Sequence, residues 1–253
     1  MNERQYNLGL VSVSFRDRSP ADILAAMKAA NLTCIEWGSD VHAPCKDTEN
    51  LKTLAALQAE YGITCCSYGT YFRLGETPME ELQDYIVAAK ILGTNILRLW
   101  CGRKRSGDMT EQERTAFVAL CREAANIARQ HNVTLCMECH KKTFTEDPDQ
   151  AVWLMNAVAS PHFRMYWQPF QWQTPAQNVE NAKTIAPYAE HIHVFNWVNK
   201  EKFPLAQAVA DWQQYISAFS TPRTLLLEFM PCGTIEELAA ETAALKTITG
   251  GTL

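Results

Sequence analysis

Short apolar runs of strand length alternate along this chain with longer segments whose apolar residues recur at helical spacing. Leu8 to Ser14 is the first run, and Ile23, Met27 and Ala30 then repeat with the period of a helix face. Further runs lie at Thr33–Gly38, Ile63–Tyr68, Asn95–Trp100, Val133–Glu138, Arg164–Gln168, His191–Phe195 and Leu225–Glu228. Helical segments separate them: near Glu49–Glu60, from Thr77 to Gly93, from Thr110 toward Gln130, after Asp147, after Thr174, from about Pro204 to Phe219, and after Thr234. Several open on one signal, a capping hydroxyl or carboxylate, then proline or an acid in the first turn. Ser19-Pro20-Ala21-Asp22, Thr110-Glu111-Gln112-Glu113 and Thr174-Pro175-Ala176-Gln177 are examples.

Strands that alternate with helices pair in parallel through right-handed crossovers. Eight such units in 253 residues predict an α/β fold, a closed (β/α)8 TIM barrel formed as a single domain over 1–253. No Gly-x-Gly-x-x-Gly or P-loop pattern stands at a strand end, which removes the usual signature of the open-sheet nucleotide binders. No linker or low-complexity stretch divides the chain.

Composition narrows the function classes. A hydrophobic content of 47% is enough for a full core, yet no run of eighteen apolar residues exists, so no spanning helix is expected. Met1 to Gln5 shows no basic-then-apolar leader, and the expectation is a cytoplasmic protein without a membrane partner. A net charge of −5 argues against a nucleic-acid groove. The nine cysteines, an odd number lying mostly in predicted elements, read as reduced thiols. Cys136 and Cys139 have C-x-x-C spacing, but residues three apart on a strand face opposite ways, so packing is expected of them. Nothing in the sequence fixes the oligomeric state, and a homo-oligomer is left open.

The chemistry gathers at the ends of the last four predicted strands. Alternation puts Thr134, Cys136, Glu138 and His140 on one face. The following runs end at Gln168, carry His191 and His193 on one face, and end at Glu228. Strand C-termini converge at the functional face of a barrel, so Glu138, Gln168, His193 and Glu228 would share a site. Two carboxylates, an imidazole and an amide oxygen suit a divalent ion such as Mn²⁺, Mg²⁺ or Co²⁺, with Zn²⁺ also admitted. At the same rim His42, Arg98, His140, Tyr68 and Trp100 are candidates to bind substrate. Arg98 reads equally as a structural partner of Glu36, and Lys141 and Lys142 as solvated charges. Trp37, Phe72, Trp167 and Trp197, with Tyr68 and Trp100, would form an aromatic wall. The loop Pro231–Thr234 before a helix start is a weak phosphate-binding candidate.

These stretches resemble the xylose isomerase-like barrels, the sugar phosphate isomerase/epimerase group that includes tagatose 3-epimerase and inosose dehydratase. The resemblance is densest in Ile35–His42, in Glu138-Cys139-His140 with Thr143-Phe144-Thr145, in His191-Ile192-His193 and in Leu227-Glu228-Phe229. It implies metal ligands at Glu138, Gln168, His193 and Glu228. It also implies a metal-dependent sugar or sugar phosphate isomerase or epimerase acting on a small polyhydroxy carbonyl compound. Glu138 and Glu228 would then move the carbon-bound proton through an enediolate. The alternatives are a dehydratase of the same family and a non-catalytic sugar-binding protein. The second rests on a departure: the family's Asp-x-x-His on the sixth strand is Gln168-Pro169-Phe170-Gln171 here.

Overall fold

The structure is a computed structural model that describes residues 5–250; Met1–Arg4, read above for a leader, lie outside the described residues. Strands β1 (Leu8–Val11), β2 (Cys34–Gly38), β3 (Thr64–Arg73), β4 (Ile96–Trp100), β5 (Thr134–Glu138), β6 (Phe163–Trp167) and β7 (Ala189–Val194) each pair in parallel with the next. A hairpin of β8 (Trp197–Val198) and β9 (Glu201–Lys202) follows. Then β10 (Thr224–Leu227) pairs with β7 on one side and β1 on the other and closes the barrel. This is the predicted TIM barrel.

Helices α1 (Pro20–Ala30), α2 (Thr48–Glu60), α3 (Leu82–Leu92), α4 (Glu111–His131), α5 (Pro148–Val158), α6 (Pro175–Ile185), α7 (Val209–Ser217) and α8 (Leu238–Ile248) surround it. The start signals act as read. Ser19 accepts the Asp22 N–H, and Thr110 with Glu113 and Thr174 with Gln177 form reciprocal capping boxes. The segment expected to be helical from Thr77 starts later: the Thr77 hydroxyl accepts the Arg73 N–H, and α3 begins at Leu82 after a 3₁₀ turn at Met79–Glu81. Among the described residues no helix is long and apolar enough to cross a membrane.

Alternation along each strand divides the core in two. One set, including Leu97, Leu99, Leu135, Met137 and Trp167, packs between barrel and helices. The other, Val11, Cys34, Cys136, Tyr166 and Leu226 among them, fills the barrel interior. All nine cysteines are free thiols. Burial pushes the Cys136 and Cys139 thiols upward, which leaves them poor nucleophiles and fits a packing role.

Candidate active site

Above the apolar interior the barrel carries a layer of buried charge. Glu36 from β2, Arg98 from β4, Glu138 from β5, His193 from β7 and Glu228, next after β10, are all buried. Arg98 holds two acids at once: Nε donates to Glu36 at 2.8 Å and Nη1 to Glu138 at 2.7 Å. Ser67 Oγ donates to the other oxygen of Glu36 at 2.8 Å. Gly69 makes this approach feasible, because a Cβ there would lie 2.6 Å from Glu36 Oε1 and 2.8 Å from Arg98 Nη2.

The four residues read from strand ends come together around one atom. His193 Nδ1 lies 3.2 Å from Gln168 Oε1, 3.4 Å from Glu228 Oε2 and 3.9 Å from Glu138 Oε1. Gln168 is oriented by its amide, which donates to Cys139 O at 2.9 Å. On the far side of the ring, His193 Nε2 is 3.7 Å from Glu36 Oε1. Neighbouring donors of one octahedral ion with bonds near 2.1 Å stand about 3 Å apart; the 3.2 and 3.4 Å separations approach that spacing and the 3.9 Å one exceeds it. An Nε2–H facing Glu36 would be the usual carboxylate partner behind a metal-binding imidazole. Among the described residues no group of three or more His, Cys, Asp or Glu side chains is placed to hold a metal ion as it stands. One donor here is an amide, and Arg98 holds the outer oxygen of Glu138.

Charge explains the titration pattern. Three carboxylates face one guanidinium, so with His193 neutral the layer carries two uncompensated negative charges, the charge of one divalent ion. Without an ion, protons take up part of that load. Burial, together with the charges of Glu138 and Glu36, pushes Glu228 up to about 7 against the pull of His193 and Arg98. Burial alone would lower His193, but the charges of Glu228 and Glu36 raise it. Burial, the largest single effect, would also raise Glu36 and Glu138, yet Arg98 and His193 together outweigh it and both lie below the ordinary carboxylate range.

A cavity of about 280 Å³ opens above this layer, with Glu138, Gln168, Glu228, His140, Trp100 and Trp197 in its wall. Trp100 stands against Tyr71 at 5.1 Å, under the Arg73 guanidinium at 4.0 Å, and 5.8 Å from His140. His140 Nδ1 is 2.8 Å from Lys141 O. A carbonyl only accepts, so Nδ1 carries a hydrogen and Nε2 is the ring nitrogen outside that bond.

Several rim expectations fail. His42 is buried away from the cavity, donating from Nε2 to Arg18 O at 3.1 Å and lying 3.2 Å from Ser12 Oγ through Nδ1. It ties the loop after β2 to the end of β1. Tyr68 faces the helices because it follows inward-facing Ser67; its hydroxyl donates to Ala43 O at 2.5 Å and its ring packs near Tyr85. Trp37, Phe72 and Trp167 are buried in the same outer layer, so of the expected aromatic wall only Trp100 and Trp197 line the cavity. Arg98 does reach the cavity wall, but its Nε and Nη1 hydrogens are taken by carboxylates. In the Pro231–Thr234 loop, the N–H groups of Cys232 and Thr234 already donate to Glu237. Tyr71, Arg16 and Lys200 line the cavity and were not among the sequence candidates. Tyr71 shares strand parity with Ser67, which is the signal that could have found it.

The family model of the xylose isomerase-like TIM barrel matches residues 24–241. The chain belongs to that family. Over 122 residues it is 26% identical to a 3-dehydroshikimate dehydratase of Bacillus anthracis, covering 48% of this chain. That match spans 44% of the dehydratase, under half its length. Two solved structures share the fold. A probable 3-DHS dehydratase involved in petrobactin synthesis, from Bacillus anthracis, has a TM-score of 0.81 at 18% identity, over 96% of this chain and 99% of that one. The IolI protein with a bound zinc atom has a TM-score of 0.77 at 14% identity, over 96% and 98%.

Proposed function

We propose that this barrel is a lyase that dehydrates a small hydroxylated carbonyl compound, with a divalent ion held by Glu138, Gln168, His193 and Glu228. The carrying observation is His140. Its Nδ1–H is committed to Lys141 O, so Nε2 is the ring nitrogen left to exchange a proton, and His140 lines the cavity. Glu138, the other base of a two-carboxylate mechanism, is neutralised by Arg98 at 2.7 Å and is a weak base there. It serves better as a ligand through Oε1. A single base suits elimination better than a two-base epimerisation. Likeness to a named dehydratase supports the same choice, as does the match to a probable dehydratase structure.

In this reading His140 Nε2 removes the proton on the carbon beside the carbonyl. The electron pair left behind forms the new carbon–carbon double bond as the β-hydroxyl departs. The proton on His140 passes to that hydroxyl, so the products are an unsaturated carbonyl compound and water. The bound ion supplies positive charge where negative charge develops on the carbonyl oxygen. Arg98 and Glu36 hold Glu138 and His193 in place, and the aromatic rings of Trp100 and Trp197 exclude water from the reacting carbon.

Proton-transfer isomerisation is the second reading, and Glu228 favours it: a carboxyl near 7 is suited to a second proton transfer. The product separates the two. Purified protein with Mn²⁺ and 3-dehydroshikimate, or a panel of β-hydroxy ketones, is expected to give an unsaturated product with loss of water. His140→Asn should lower turnover on the order of a hundredfold while Mn²⁺ affinity holds. An epimer without water loss, or full activity in His140→Asn, contradicts the lyase reading.

A further inference from the structure

The loop between β6 and α6 holds one aromatic ring inward and one outward. Phe170 is buried and pinned by Asn178: its N–H donates to Asn178 Oδ1 at 2.8 Å, and its carbonyl accepts from Asn178 Nδ2 at 3.2 Å. The same carbonyl accepts the Gln173 N–H at 3.1 Å, which closes a turn around Trp172. Trp172 leans on Phe170, with ring centroids 5.1 Å apart and planes 31° from parallel, yet it stays 47% exposed. A single exposed apolar side chain is ordinary. This one is fixed from beneath and stands where three cavities meet.

Trp172 lines the catalytic cavity and also two neighbours of about 490 Å³ each. Those two share Arg105, Asp108 and Glu146 as well, so they form one groove that leaves the mouth along the loops after β4 and β5. Arg103 and Lys142 add to its wall. Arg105 Nη2 pairs with Glu146 Oε1 at 2.8 Å within it. Cationic donors and carboxylate acceptors are thus interleaved. A simple anion meets Asp108 and Glu146 there, and a simple cation meets Arg103, Arg105 and Lys142. Hydroxyl groups both donate and accept, so they satisfy both kinds of neighbour. The indole face, negative at its centre, takes C–H groups. A ring with C–H bonds on its face and hydroxyls around its edge fits both surfaces at once, and that is a sugar ring.

We infer that the groove beside Trp172 binds a sugar ring that is joined to the reacting unit, so that the substrate spans two rings. The catalytic cavity, about 280 Å³, is small for a ligand pocket and is filled by the reacting unit alone. The second ring then lies outside it, stacked on Trp172. The word substrate rests on the lyase reading, but the sugar site is tested without turnover.

The test titrates the full chain with glucose and, separately, with the two-ring sugars cellobiose and maltose, followed by saturation-transfer NMR. At least one two-ring sugar is expected to bind about tenfold more tightly than glucose, its second ring resting on the indole. Trp172→Ala should abolish that advantage, and Trp172→Phe, which keeps a flat ring, should hold it within about threefold. Mn²⁺ affinity by calorimetry should be the same in Trp172→Ala as in wild type, which shows the ion layer undisturbed. Failure of both two-ring sugars to outbind glucose, or an advantage that survives Trp172→Ala, overturns the subsite. So does a change from dimer to monomer in Trp172→Ala by sedimentation, because the indole would then cover a second copy of this chain. A two-ring advantage that follows these variants in a protein that dehydrates no carbonyl compound leaves the subsite standing and counts against the lyase. Dehydration of a one-ring ketone with no two-ring advantage does the reverse.

Discussion

Arg98 connects elements that are far apart in sequence. Its guanidinium joins Glu36, 62 residues upstream, to Glu138, 40 residues downstream. A buried pair of this kind adds little net stability over apolar packing, but removing one partner strands the other in low dielectric. Arg98→Leu should therefore lower unfolding stability by about 3 to 5 kcal/mol in urea titrations. A loss under about 1 kcal/mol would mean that water or a proton relieves the acids easily. Gln168 bears on the ion alone. Gln168→Asp supplies a hard anionic donor at the same place, so Mn²⁺ should bind more tightly by calorimetry; equal or weaker affinity with the fold intact would remove Gln168 from the ligand set. The strand-end residues Glu138, Gln168, His193 and Glu228 were legible from alternation and barrel geometry. Glu36 was visible only as a structural partner of Arg98, because a contact that spans a barrel leaves no local pattern. Tyr68 and Trp37 were misread for a different reason: each neighbours an inward-facing residue, Ser67 or Glu36, and strict alternation turns them toward the helices.

Among the elements, α3 and α7 follow 3₁₀ turns and begin at Leu82 and Val209, later than Thr77 and Pro204; the starts of α1, α4, α5 and α6 were legible, because their caps are local chemistry. The hairpin β8–β9 was not, since its two-residue strands are too short for a period and Asn199-Lys200 lacks the expected glycine. Nor was the extension of β3 to Arg73, which depends on a register shift between Gly69 and Arg73. The segment before α7 is held by α8 through a buried acid: both oxygens of Glu241 accept the Leu205 N–H at 3.2 Å. Burial, with a contribution from Glu237, pushes Glu241 up to about 6 against the effect of that bond. A carboxyl raised in the folded state contributes stability that is full below its unfolded value, 4.5, and is lost as pH rises through about 6. Glu241→Gln keeps an acceptor for Leu205 and does not titrate. Urea unfolding at several pH values should show the wild type losing stability relative to Glu241→Gln across that window. Parallel profiles would show that Glu241 titrates alike in the folded and unfolded chain.

Across the whole molecule, strand alternation separates two apolar layers and sets one charged layer at the C-terminal mouth of the barrel. The balance of charge in that layer governs what it can hold. The central claim is that the layer is two positive charges short and that a divalent ion makes up the difference, displacing protons from Glu228 and His193. The most direct measurement is calorimetric titration of the full chain with Mn²⁺ at about pH 6.5 in two buffers of different ionisation enthalpy, which reads protons released per ion bound. The account predicts saturable binding with release of about one proton or more, and a smaller release in Glu228→Gln. Binding with no proton release, or no binding at all, would contradict it.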